Sequence, residues 1–123
     1  MQASLLNLGR FLLASLFLVS GVRDIMGWGG VVGFMQSKGL PAVELLLGAT
    51  VALKLVGGLM LVFNRYAAPA AILLAGFCLA TAVIFHNFWA VDAAQFSNQL
   101  NHFMKNIALA GALLMAAAMA RSK

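Results

Sequence analysis

Two histidines and their neighbours hold most of the chemistry this chain can offer. His86-Asn87-Phe88-Trp89 closes one apolar run, and Asn101-His102-Phe103-Met104-Lys105-Asn106 opens the next. If those runs are antiparallel helices joined by a short loop, His86 and His102 lie at similar depth. His102 and Asn106, four residues apart, share a helix face. The spacing predicts one polar pocket of His86, Trp89, His102, Lys105 and Asn106, whose groups hydrogen-bond and stack. The plainer reading is that Trp and His anchor at headgroup level and that Asn106 bonds a neighbouring helix. Paired imidazoles also suggest a metal or haem, but a catalytic zinc needs a third protein ligand. Glu44 or Asp92 could supply one, yet no spacing demands it, so no metal is assigned. Nor is a catalytic residue: the chain has no cofactor fingerprint, and its one cysteine, Cys78, rules out a CxxC pair.

A second candidate is Lys54, inside an apolar run. Side chains lean toward the N-terminus of their own helix. Arg10 and Lys105 therefore reach the nearer membrane face, whereas Lys54 leans away from it and costs about 2.5–3.5 kcal/mol on insertion scales. Glu44, ten residues earlier on the same helix, is about 15 Å of rise away, too far to pair. The expectation is that Lys54 is unpaired, deprotonated, or facing water or an anionic or carbonyl-bearing ligand, on the interior side of the helices. Gly57 and Gly58 would leave room beside it for close helix approach or for a ligand. The candidate ligand-binding positions are thus His86, Trp89, His102, Lys105, Asn106, Lys54 and Glu44.

These residues need elements to position them. Of 123 residues, 63% are hydrophobic and 9% charged, against roughly 45–50% and about 25% in soluble domains. A water-soluble globule is excluded. Long apolar runs, at about 20 residues per crossing, give four transmembrane helices over 5–21, 41–63, 67–88 and 101–120. The fold class is all-α: one domain, 1–123, a four-helix transmembrane bundle. Val19-Ser20-Gly21 resembles a signal-cleavage site, but this segment is read as the uncleaved first span. Between the first two spans, GWGGVVGFMQSKGLP suggests a short interfacial helix, with Pro41 in the first turn of the second span. Residues 90–99 read as a polar surface loop. Ala108, Ala112, Ala116 and Ala120 with Gly111, Gly48 with Ala52, and Ala71 with Ala75 are small-residue packing signals. The eight Lys+Arg against three Asp+Glu are scattered singly, which argues against nucleic acid. Arg10, Arg65, Arg121 and Lys123 share one side with no acid. Arg23, Lys38 and Lys105 face Asp24, Glu44 and Asp92 on the other. Both termini are accordingly expected in the cytoplasm.

LGRFLLASLFLVSG, GFMQSKGLP, the Gly57-Gly58 pair, ATAVIFHNFW and NHFMKNIALAGALL, in that order, resemble the DoxX family of small bacterial four-span membrane proteins. His86, Trp89, Lys105, Asn106 and Gly111 are the best-matching positions. The likeness departs at Lys54, where family members carry Glu, and this puts a borrowed proton-handling or cation-pairing role in doubt. The resemblance implies a bacterial inner-membrane subunit in an oxidoreductase assembly, because members include the membrane subunit of a thiosulfate:quinone oxidoreductase. It also implies quinone as ligand, the lipid bilayer as surroundings and a soluble or membrane oxidoreductase as partner, with a homo-oligomer an open alternative. Two other readings stand beside it. One is a non-catalytic binding or assembly protein. The other is a small transporter, for which the expected acidic residue in the first span is missing, since that span offers only Arg10.

Overall fold

The computed structural model describes residues 1–121; Ser122 and Lys123, the latter counted among the cations of the terminal side, lie outside the described residues. Among the described residues the chain forms five α-helices and one 3₁₀ turn: α1 (Gln2–Met26), α2 (Trp28–Ser37), α3 (Val43–Phe63), α4 (Ala67–Phe85), the turn Phe88–Ala90, and α5 (Ala93–Arg121). Four candidate membrane spans result: α1, α3, α4 with the 3₁₀ turn, and α5 up to Ala120, each long and apolar enough to cross a bilayer. The short segment between the first two spans is α2, separated from α1 by Gly27 alone.

Boundaries shift where local chemistry outweighs hydropathy. α1 runs past Gly21 to Met26, since nothing in Val22-Arg23-Asp24 breaks a helix. α3 starts at Val43, after Ala42 in the left-handed region (φ 46°), so Pro41 precedes the helix and is not in its first turn. α4 stops at Phe85. Most of the segment expected as a surface loop is instead the start of α5: Asp92 Oδ1 accepts the Gln95 backbone N–H at 3.1 Å and so satisfies an otherwise orphaned donor of the first turn.

The helices alternate in direction. At one end of the α1–α3 pair, Arg10 Nε donates to the Leu61 carbonyl at 3.3 Å, a cation set against the C-terminus of α3, and Arg10 also bonds Asn7. The start of α1 lies beside the end of α5, where Leu6, Gly9 and Arg10 share a groove with Met115, Ala116 and Met119. The start of α1 and the end of α5 are therefore at one end of the bundle, and the α4–α5 connection is at the other.

One core joins the four spans: Ala14 and Phe17 of α1, Leu61 of α3, Ala71, Leu74 and Cys78 of α4, and Ala110, Leu113 and Ala117 of α5. The small-residue signals sort unevenly. Ala71 and Ala75 are buried as expected. On α5 the packed face is Ala110, Leu113 and Ala117, while Ala108 and Ala112 are exposed and Ala116 and Ala120 only flank the core. Ala52 is exposed too, and Gly48 meets only the edge of Trp28. Gly58 faces Leu18 of α1, and Gly57 faces Leu74 of α4. They accommodate neighbouring helices, which is the first of the two roles the sequence allowed them. A second cluster, Met35, Val43, Leu47 and Val51, fastens α2 to the first half of α3. Phe34 stacks on Phe85 with ring centroids 5.4 Å apart, tying α2 to the end of α4.

Candidate functional site

Lys54 has a partner. Its Nζ donates to Asp24 Oδ2 at 2.7 Å and to Ser20 Oγ at 2.8 Å, with the Lys54 and Asp24 side chains only 12% and 16% exposed. This corrects the expectation of an unpaired lysine, and the cause is geometric. Lys54 leans toward the start of α3, which in an antiparallel pair lies beside the end of α1. There Ser20 and Asp24, four residues apart, present one face. The extra turns of α1 carry Asp24 into the bundle. The first span therefore does contain a carboxylate, contrary to the argument against a transporter, though it is held in an ion pair.

The pair borders a half-open pocket, called the cavity below, of about 310 Å³. Its walls are Asp24 from α1, Val31, Phe34 and Met35 from α2, Leu47, Thr50 and Lys54 from α3, and Phe77, Thr81, Phe85 and His86 from α4 and its cap. The Phe77 ring lies beneath the ammonium, 5.5 Å from Nζ to centroid. Aromatic walls with a few convergent polar groups are the usual make-up of a small-molecule pocket, and this volume is near the lower limit of about 300 Å³ for such sites.

His86 caps the end of α4. Its Nδ1 is 3.0 Å from Gln99 Oε1, and its ring stacks on His102 at 5.0 Å between centroids and 20° between planes. The two histidines are thus adjacent across the α4–α5 connection, yet they serve different spaces. His86 lines the cavity, whereas His102 is exposed and, with Lys105, Asn106, Leu16, Ala108 and Leu109, borders an open cleft of about 560 Å³ between α1 and α5. Asn106 stands between them: its Nδ2 donates to Thr81 Oγ1 at 3.1 Å, and Thr81 is a cavity wall. Trp89, 57% exposed, packs edge-on against Phe88 and Phe103, in a cluster with Phe96. Glu44 is exposed in the first turn of α3, where a carboxylate suits the helix N-terminus, and it lines neither space.

The sequence-predicted residues therefore fall into three groups. Lys54 and His86 share the cavity; His102, Lys105 and Asn106 share the cleft; Trp89 and Glu44 stand apart. Sequence reasoning missed Asp24, Ser20, Thr50, Phe77, Thr81 and Gln99. The Ser20–Asp24 spacing opposite a lysine that leans toward it was a usable signal. The cavity's Thr and Phe residues carried none, because such residues are common in any apolar helix.

Comparison with known proteins gives a consistent picture. The family model described as DoxX matches residues 5–87. The chain is 30% identical over 113 residues to inner membrane protein YphA of Escherichia coli, covering 92% of this chain and 81% of that protein. It is 34% identical over 108 residues to inner membrane protein YqjF of the same organism, covering 88% and 78%. No solved structure matches significantly.

Proposed function

Because the chain belongs to the DoxX family and is a multi-pass inner-membrane protein, we propose that it is the quinone-binding membrane component of an oxidoreductase assembly, with its termini in the cytoplasm. The observation that carries this reading is the half-open cavity beside Lys54, where a cation, an imidazole and phenyl rings converge. An ammonium has three donors. Asp24 and Ser20 take two, which leaves one N–H of Lys54 for a ring carbonyl. In the tautomer that donates from Nδ1 to the Gln99 amide oxygen, His86 presents Nε2 as an acceptor for a ring hydroxyl. Phe77 lies under the ammonium and Phe34 stacks on Phe85, so a planar ring would contact the remaining faces and edges of these three rings. A ring whose oxygens switch between carbonyl and hydroxyl suits one donor and one acceptor in an aromatic slot. The orientation rests on the cation bias of the terminal side.

Purified protein in mild detergent tests the ligand. Wild type should retain quinone detectable by mass spectrometry and bind an added benzoquinone analogue saturably. His86→Phe, and the charge-balanced pair Lys54→Met with Asp24→Leu, should each weaken that binding about tenfold or more, the loss expected for a hydrogen bond to a charged or well-placed group. Absence of any saturable binding, or unchanged affinity in both variants, would overturn the reading.

A further inference from the structure

The exposed cations near the α4–α5 end of the bundle differ in their surroundings. Arg23 shares a groove between α1 and α2 with the carboxylate of Asp24. Lys38 lies over the Phe34 ring, 5.7 Å from Nζ to centroid. Lys105 lines the cleft of about 560 Å³ between α1 and α5, whose walls include no carboxylate. Among the described residues Lys105 has neither an ion pair nor a hydrogen bond, the ion pair there being that of Lys54 with Asp24. His102, three residues earlier on the same helix face, presents the face of its ring to His86 and so keeps the ring edge open. Asn106 is turned toward Thr81.

Polarity changes along the membrane normal in the same cleft. Lys105 leans toward the start of α5, which lifts its ammonium to headgroup level. Beneath it the walls are Leu16, Ala108 and Leu109. The same α1–α5 seam then holds a groove of about 460 Å³ beside Leu12, Ala112 and Met115. Leu12, Leu16, Ala108, Ala112 and Met115 are all exposed, so in a bilayer this seam borders lipid. Ten residues of α5 separate Lys105 from Met115, about 15 Å of rise, which is one leaflet of a hydrocarbon core of about 30 Å.

We propose that the cleft binds one anionic phospholipid: Lys105 and His102 hold its phosphate, and one acyl chain lies along the open α1–α5 seam. The proposal is independent of what the cavity beside Lys54 binds. Free phosphate would need only the donors, and the apolar floor directly beneath them assigns the phosphate to a lipid. A lysine with no carboxylate beside it favours a headgroup of net negative charge, because a zwitterionic headgroup brings its own cation to the site.

Native mass spectrometry of the full chain in mild detergent tests this by counting bound lipid and giving an apparent Kd for phosphatidylglycerol and for phosphatidylcholine with the same chains. Wild type should bind one phosphatidylglycerol about fivefold more tightly than phosphatidylcholine, the increment of one basic residue near a membrane surface. Lys105→Gln should abolish that preference and leave phosphatidylcholine within about twofold of wild type. Lys38→Gln removes a similarly exposed cation outside the cleft and should keep the preference. Ala108→Phe, which fills the cleft below the ammonium, should weaken both lipids about tenfold. Equal affinity of wild type for the two lipids, or the same loss of preference in Lys38→Gln and Lys105→Gln, would overturn the site in favour of diffuse surface charge. Saturable binding of inorganic phosphate with no lipid retained would assign the donors to a free anion and overturn it as well. So would a dimer that Ala108→Phe dissociates, which would place a second copy in the seam.

Discussion

Helix α1 meets α3 and α5 in two different ways. Against α3 it is closed and locked. A Cβ at Gly21 would come within 2.8 Å of Leu55 and one at Gly58 within 2.8 Å of Leu18, so each glycine receives a large side chain of the other helix. The Asp24–Lys54 pair and the Arg10–Leu61 bond fasten this seam at two levels. Against α5 it is open. Grooves of about 560 and 460 Å³ lie along the seam, although α5 carries the longer row of small residues. Small residues allow close approach but do not enforce it. Leu12, Leu13 and Leu16 of α1 stand beside Ala112, Ala116 and Ala108 without filling the grooves between them.

The largest way to break this contrast is to remove half of the ion pair. Lys54→Met leaves the part-buried Asp24 without its counter-ion, which puts the cost at the lower end of the about 3–5 kcal/mol for stranding a buried charge. Asp24→Leu should be comparably harmful, because it strands the ammonium. The double variant should regain most of the loss, since replacing both charges with apolar groups is often near neutral. Unfolding by denaturing detergent in mixed micelles measures all three. Equal stability of single and double variants would show that the pair fastens nothing.

What was legible in the sequence follows from which interactions hydropathy records. The four spans were legible because Leu, Val and Ala runs of that length have no other solution in a bilayer. The position of Asp24 was not, because a carboxylate beyond Gly21 reads as the end of a span, and only a partner on another helix makes it worth burying. The start of α5 was similarly hidden under polar Gln95, Ser97 and Asn98, although Asp92 followed three residues later by Gln95 is a capping pattern. In the candidate site, the adjacency of His86 and His102 followed from two spans and a short loop. Their separation into cavity and cleft depends on which side of α4 each ring lies, and no one-dimensional pattern encodes that.

A smaller effect sharpens the contrast between the two seams. Gly58→Ala should cost about 1–3 kcal/mol, because Leu18 approaches the new Cβ within 2.8 Å at Cδ2 and 2.9 Å at Cγ and must shift. Gly111→Ala, on the open side of α5 with nothing within 4 Å, should lose nothing and gain up to about 1 kcal/mol of helix stability. The two substitutions are chemically identical and both fall mid-helix. A similar penalty at the two sites would mean that α5 is packed against something on its open face.

The smallest effect concerns Asn106, which could serve the cleft beside Lys105 or the wall against Thr81. Its Nδ2 donates to Thr81 Oγ1 at 3.1 Å, which ties the cleft-lining Asn106 to the cavity-lining Thr81. Hydrogen bonds between membrane helices average about 0.6 kcal/mol, because the unfolded chain in lipid also finds partners. Asn106→Leu and Thr81→Val should therefore each cost little. A double-mutant cycle should return a coupling near that value. The readout that distinguishes a wall from a ligand contact is binding. If the bond acts by positioning Thr81 in the cavity wall, both single variants should weaken ring binding to the same extent as each other and as the double. If Asn106→Leu alone altered ligand affinity while Thr81→Val did not, Asn106 would be acting from the cleft side, and His102, Lys105 and Asn106 would have to be considered as a binding site of their own.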